Sequence, residues 1–407
     1  MNHSSMRKIS ILAVSLVVVS GGAIGANIPA MAKTFPEIPL SLVEMLTTIP
    51  ALFIIPAVLL STKIANLWGY KRTVLIGLGI VFISGIIPAL ITNFTIIFIS
   101  RACFGFGVGL FNSLLIAFIS YFYQGSERAA TIGFQSAFEG IGGMSLTFAV
   151  GQLLKISWQT SFWVYLIVLP IFVLFALFVP EISQQDISQM HGEKKAMSKQ
   201  VEGEKETLDS LSFAGYIVLL IVVVCVYMSI TVKGTLLMTT LGYGNATDGS
   251  NILSLIGVGA MSAGFLFGRV FKVTKHWTMP FAFLLMGLAM ALIGFSDRVL
   301  VTGIGAMICG FSFRTFIPYL FNQVNNGSAH QAARRTSLLL VAFNFGSAFS
   351  PYGIAMIDSL SVFSSIRGTF FSEAILLLLL AAITGGISFF GEKAKRSSLY
   401  RSSSLKK

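Results

Sequence analysis

The sequence predicts an all-α membrane protein of twelve transmembrane helices in two six-helix halves. Composition is the first reason. Of 407 residues, 55% are hydrophobic and only 11% are charged, roughly half the charge of an ordinary soluble domain. Apolar runs of about 20 residues, the length that crosses a bilayer as a helix, recur from end to end. Backbone groups in lipid must pair within their own segment, and barrel strands would be shorter and alternating, so these runs span as helices. The second reason is an echo between the halves at a constant offset of 205 positions. Gly105-Phe106 falls on Gly310-Phe311, Phe111 on Phe316, Leu115 on Leu320, Thr131 on Thr336 and Ala137-Phe138 on Ala342-Phe343. The third reason is the sidedness of positive charge, which emerges once the spans are laid out.

The expected spans are 9–31, 42–62, 73–92, 95–118, 131–153, 161–180, 211–235, 251–271, 278–296, 299–322, 337–357 and 368–390. The first follows Arg7-Lys8. Its Gly21, Gly22, Gly25, Asn27 and Pro29 make it small-faced and breakable in its second half, which suits either helix packing or a cavity lining. Ala30-Met31-Ala32 resembles a signal-peptidase site, but the run is long for a signal core, so the segment is expected to stay as a span. Loops on the side away from the N-terminus are short, such as Asn93-Phe94 and Asp297-Arg298. The one long break, Glu181 to Ser210, is polar and rich in mixed charge, as a linker is. The expected organisation is therefore a first half at 1–180, a cytoplasmic linker at 181–210, a second half at 211–391 and a basic tail at 392–407.

With this span list, 21 Lys and Arg lie on the N-terminal side and four (Lys33, Lys155, Arg298 and Arg367) on the other, while Arg101, Lys233 and Arg314 fall within spans. By the positive-inside rule both termini are expected in the cytoplasm. The +12 net charge sits in loops and tail, so a nucleic-acid partner is not expected. Cys103, Cys225 and Cys309 all lie inside apolar runs, which gives neither a disulfide framework nor metal-ligand spacing. No GxxxxGK[ST] loop occurs, so ATP is not the direct driver and no cofactor is expected.

Local motifs then carry a resemblance. The loop after the second span, Lys63-Ile64-Ala65-Asn66-Leu67-Trp68-Gly69-Tyr70-Lys71-Arg72, resembles the Gly-x-Leu-Ala-Asp-Arg-x-Gly-Arg-Arg signature of the major facilitator superfamily. Gly69, Lys71 and Arg72 fit it; Asn66 stands where Asp is usual and Leu67 where Arg is common. The resemblance implies a conformational latch at Asn66, Gly69, Lys71 and Arg72, weakened by the missing charge of Asp. Arg101-x3-Gly105-x-Gly107-x-Gly109 is similar to the family's arginine-bearing fourth-helix motif. In the fifth span, Gly143 and Gly151 match an antiporter pattern, but Thr147-Phe148 and Gln152 depart from it. The whole resembles Gram-positive bacterial members grouped with multidrug exporters or with organic-anion and bile-salt carriers. It implies the major facilitator fold, a monomer in the bacterial cytoplasmic membrane, and alternating access between the repeats.

Ionisable residues in mid-span cost at least about 2.5 kcal/mol and are functional or paired. Arg314 lies too deep to snorkel and is the leading candidate for substrate or counter-ion contact. Glu139 is the candidate proton carrier, because an apolar setting disfavours the charged carboxylate. A Glu139–Arg314 pair is possible as either a coupling device or a fixed ion pair. Lys233, near the outer end of the seventh span, is a candidate substrate contact or a snorkelling side chain, and Arg101 is expected in substrate or proton handling or in packing. Glu44, Asp358 and Glu373 are expected to be solvated. Asn27, Asn112, Gln135, Asn322 and Asn344 are candidate polar lining; Phe104, Phe106, Phe311, Phe313 and Phe316 are candidate aromatic lining. Three cations against one carboxylate in the spans favour an anionic or amphipathic substrate.

The expected function is a secondary, proton-coupled carrier of amphipathic organic compounds, with efflux as the direction. Carriage of organic anions such as bile salts is the alternative. A non-transporting sensor is the rival class, disfavoured by the lack of a soluble domain. An enzyme is not expected, because His3, His191, His276 and His330 are scattered over tails and loops.

Overall fold

The computed structural model describes residues 3–182, 210–324, 329–360 and 365–404. The first pass is helix α1 (His3–Ser15), a 3-10 helix (Ser20–Asn27) and α2 (Ile28–Thr34), bent by 42°. The second to fifth passes are α3 (Leu40–Trp68), α4 (Tyr70–Leu90), α5 (Phe94–Phe122) and α6 (Gly125–Leu153). The sixth joins α7 (Trp158–Ser161), a 3-10 helix (Phe162–Ile167) and α8 (Val168–Phe178). The seventh to tenth are α9 (Ser210–Leu241), α10 (Ala246–Thr274), α11 (Thr278–Phe295) and α12 (Val299–Val324). The eleventh is α13 (Ala329–Ala348) with α14 (Ser350–Leu360), and the twelfth is α15 (Ile366–Ser404).

By length and apolarity eight helical stretches qualify as spans, and up to ten when the two bent pairs are included. One of the eight, 246–295, folds back on itself. Gly303 of α12 sits against Leu255 while Gly305 sits against Ile293, so α10 and α11 are separate passes on either side of α12. Helix α6, which carries Glu127, Arg128, Gln135 and Glu139, is the polar member and still runs as a full pass beside the first half of α10. Its Gly151 lies beside Ser250 and its Gly140 beside Met261. Twelve helical passes result among the described residues, and the first and last of these residues lie at one end of the bundle, here the terminal end; the opposite end is the far end.

Two large apolar cores form among the described residues, with a small third cluster at Met45, Ile49 and Ala102. One gathers buried side chains from Ile11 to Ile182, centred on Phe104, Phe111, Phe118 and Tyr165. The other gathers 220–377 with Ala26, centred on Phe283, Phe313 and Phe316. The echo at offset 205 has a packing cause. A Cβ on Gly105 would overlap the backbone of Pro50 in α3, and one on Gly310 would overlap the backbone of Ile256 in α10. Each half uses the same glycine to bring two helix backbones together.

Several boundaries differ from expectation for identifiable reasons. The first pass breaks at its glycines, as expected, and Gly25 lets it touch the backbone of Thr231 in α9. The eleventh pass kinks by 63° where Pro351 opens α14; proline lacks the N–H and its ring clashes with the preceding turn. Glu127 and Arg128, outside the expected fifth span at 131–153, form the first turn of α6. The basic tail from 392 continues α15 to Ser404. The expected linker lies, from 183 to 209, outside the described residues.

Candidate functional site

The two halves hold each other at the far end. Thr48 donates to the carbonyl of Ala348 at 3.0 Å, Thr247 to Gly151 at 3.0 Å, Ser254 to Met144 at 3.3 Å, and Ser250 to Thr147. Helices α6 and α10 stay together down to Gly140 and Met261; beyond that, Gly133, Gly264 and Gly268 have no neighbour within 4 Å of a built Cβ. The bundle is closed at the far end and parted toward the terminal end.

Arg314 lies where this cleft meets the middle of the bundle. It is exposed, on α12. Its charge acts on Glu139 of α6, in the opposite half, and on Tyr227 of α9. Among the described residues no ion-pair contact joins Glu139 to Arg314. Glu139 is half-buried and accepts from Gln135 at 3.3 Å. Tyr227 stacks on Phe313, the residue before Arg314, with ring centroids 3.8 Å apart and planes within 8°. Phe311 is half-buried one turn away, and Asn112 and Asn344 are part-exposed. This group joins a cation, a carboxyl and an aromatic face across the two halves.

Other candidates are placed elsewhere. Arg101 is fully buried in the first core. Its guanidinium donates to the carbonyls of Gly21 at 2.6 Å and Leu46 at 3.1 Å and to the Tyr165 hydroxyl at 3.4 Å, and it lies over the Phe104 ring. In this conformation it faces no cleft; it ties the first, second, fourth and sixth passes together. Asn27 is buried and donates to Ser161 at 2.7 Å, a contact within one half. Of the aromatic lining, Phe104, Phe313 and Phe316 are core residues, which corrects that expectation. In the signature loop, Asn66 accepts from Tyr70 of its own loop at 3.1 Å, and Lys71 and Arg72 stay on the same surface. Gly69 has φ +98°, a conformation that glycine tolerates, and its missing side chain makes room for the Glu181 carboxylate. Glu181 accepts from the Lys71 backbone N–H at 2.8 Å, placing negative charge at the start of α4.

Lys233 changes most. Helix α9 runs to Leu241, well past the expected 235. Lys233 therefore lies roughly 12 Å inside the helix end, and its ammonium pairs with Glu44 of α3 at 2.8 Å, with side chains 13% and 1% exposed. The expectation that Glu44 and Glu373 are solvated is wrong: both are buried, at 1% and 0%. Helices from both halves close over these positions, which span-end counting does not see. Asp358, half-buried at the end of α14, acts on both carboxyls. The inferred excess of three cations over one carboxylate disappears. Lys233 is paired and Arg101 is held by carbonyls, so the exposed cation of the interior is Arg314.

The comparisons with known proteins follow this geometry. No curated protein sequence matches the chain. Solved structures do match in fold. A crystal structure of a peptide transporter POT variant in complex with sulfate superposes with TM-score 0.71 at 12% identity, covering 94% of each chain. The inward-open conformation of the xylose transporter XylE from E. coli gives TM-score 0.68 at 15% identity, covering 94% of this chain and 96% of that one. A D-xylose-proton symporter gives TM-score 0.67 at 15% identity over 93% and 96%. At such identities the likeness is one of fold alone. The sequence model of the Major Facilitator Superfamily matches residues 10–351. Twelve helical passes, repeated glycine contacts and this match lead to one conclusion: the chain is a multi-pass membrane transporter that belongs to the Major Facilitator Superfamily.

Proposed function

We propose that this secondary transporter is a proton-coupled carrier of amphipathic organic anions, with export as its direction. The observation that carries the anion is Arg314, an exposed guanidinium in mid-bundle, facing Glu139 across the two halves without an ion-pair contact. An unpaired guanidinium in a cleft of low dielectric binds a carboxylate or sulfonate through two parallel hydrogen bonds. Tyr227, stacked on Phe313 beside it, and Phe311 offer apolar and aromatic surface for the rest of an amphipathic molecule. Glu139, in electrostatic range of Arg314 and without an ion-pair contact to it, is the proton carrier of this reading. Each ligand thereby biases the equilibrium between the two states of the carrier.

Arg101 serves in this reading as a clamp of the first half, and Asn66, Gly69, Lys71 and Arg72 as a latch that engages when the terminal end closes. The positive-inside count puts the terminal end in the cytoplasm, so the closed far end corresponds to an inward-facing state. The segment 181–210 is the linker that lets the halves rock. Export rests on the overall resemblance to members grouped with multidrug exporters.

The test is flux in proteoliposomes under an imposed pH gradient, with a conjugated bile salt against a lipophilic cationic dye. Bile-salt movement that is lost in Arg314→Ala supports the reading. Dye movement with no bile-salt movement sinks it and leaves export of cations as the alternative. The sign of the pH gradient that drives net movement decides between export and uptake.

A further inference from the structure

The far end holds a second ionisable centre that the Arg314 site does not use. Glu373 of α15 is fully buried, and neither carboxylate oxygen has a hydrogen-bond partner. Its surroundings are known from every helix packed on it. Helix α9 presents Cys225, Ser229 and Lys233, α14 presents Asp358 and α12 presents Cys309. Helix α11 has no titratable residue in its sequence. The Ser229 hydroxyl is likewise buried without a bonded partner. Lys233 reaches Glu44 at 2.8 Å, and Glu44 belongs to the other half. At the mouth beyond this group, Arg367 pairs with Asp297.

A carboxylate with a single serine hydroxyl in reach and no touching cation is expensive in such a place, several kcal/mol in general terms. The same carboxyl, once ionised, has one cation within electrostatic reach: Lys233. That ammonium is already engaged across the interface between the halves. Lys233 thus stands between a carboxyl of its own half and a carboxyl of the other, with charge enough for one of them.

We propose that Glu373 is a proton-binding site that controls the far-end gate by competing with Glu44 for Lys233. With Glu373 carrying its proton, Lys233 bridges the halves through Glu44 and the far end is closed. When Glu373 releases that proton to bulk water, its carboxylate draws Lys233 back into its own half. Lys233 remains an ammonium and only changes partner. Glu44 is then left buried and unpaired, a state that opening relieves by admitting water. Asp358, close to both carboxyls, adds repulsion to either anion and sharpens the exchange. The gate rests on this geometry alone, whereas its part in driving transport rests on the proton-coupled reading above.

The experiment measures the gate directly and needs no substrate. Spin labels are placed on Glu37→Cys and Thr240→Cys, exposed far-end positions in opposite halves, in a chain whose native cysteines are replaced by alanine. Distances are read in lipid nanodiscs from about pH 5 to about pH 9, a range that spans shifted carboxyls. The expected result is a short far-end distance at low pH and a growing long-distance population as pH rises. Glu373→Gln, of the same size, stays short at every pH, while Glu373→Asp keeps the transition with a moved midpoint. Lys233→Met gives the long population at every pH. Glu139→Gln retains the transition, which separates failure of the gate from failure of the central site. A wild-type chain with no pH transition overturns the proposal. So does a Glu373→Gln chain that titrates like the wild type, or a transition lost in Glu139→Gln but kept in Glu373→Gln.

Discussion

The two interior arginines belong to opposite halves and to opposite physical situations. Arg101 has its donors taken by two backbone carbonyls and a tyrosine hydroxyl, and none of its surface is exposed. Arg314 is exposed and lies in electrostatic range of a carboxyl in the other half without touching it. The repeat makes the contrast sharper. The position equivalent to Arg314 is Gly109, whose missing side chain lets α5 press on Ile54 and Ala57 of α3. The position equivalent to Arg101 is Ala306, buried in the second core. Each half keeps a small residue where the other places a guanidinium. One arginine is thus a structural tie, and the other is left exposed beside a carboxyl of the opposite half.

The comparison can be broken by substitution, starting with the largest effect. Arg101→Ala strands two carbonyls in the core, takes a donor from the Tyr165 hydroxyl and leaves a cavity. A cost of about 3–5 kcal/mol is expected, read as loss of monodisperse protein. Arg101→Lys is expected to restore it only in part, because a single ammonium cannot reproduce the planar fork. A stable, fully active Arg101→Ala protein would remove the distinction. Arg314→Ala is expected to leave the melting temperature near that of the wild type while flux falls about 100-fold, the worth of one charge-assisted bond of roughly 3 kcal/mol. A large fall in stability there would make Arg314 a second structural tie.

Lys233→Ala comes next, because it leaves Glu44 buried and unpaired; a loss of about 3 kcal/mol is expected in thermal unfolding. The double replacement Glu44→Gln with Lys233→Met should recover most of it, and failure to recover would mean that the pair is not the source. Glu139→Gln should reduce pH-driven flux about tenfold and spare exchange at equal pH, as loss of one proton carrier does. Intact pH-driven flux in that variant would end the proton-carrier role. The smallest effect is expected for Thr48→Val, which removes one hydrogen bond between the halves. About 1 kcal/mol is at stake, seen as a modest rise in far-end opening.

Much of the fold was legible because membrane helices write themselves in composition. Runs such as 73–92 and 278–296 matched their helices closely, because a bilayer demands length and apolarity and little else. The break at Gly21, Gly22 and Gly25 was legible too, from residues that favour close approach over regular helix. The misreadings share one cause. Glu44, Glu373 and Lys233 were judged by distance to a span end, yet what buries them is the other half and the helices that lean over them. Their signal was present as ionisable residues in the first turns of the second and twelfth spans and near the end of the seventh. No pairing rule within one helix could join them. Glu181 is similar: its role at Gly69 depends on the sixth pass ending beside the second loop.

By itself the sequence determined that the chain crosses a membrane many times as helices, and its echo at offset 205 pointed to two halves. It also determined that an arginine stands in the middle of the tenth pass. These follow from local rules, since each helix must satisfy its own backbone and each charge must be accounted for along one chain. Only the tertiary structure decided which charges meet. Lys233 faces Glu44 through a contact between residues 189 positions apart, Arg101 is held by two carbonyls and a hydroxyl from three other passes, and Arg314 is left open to the cleft. The physical reason is that charge pairing in a bundle is set by helix rotation and tilt, which depend on packing between halves and leave no periodic mark in sequence.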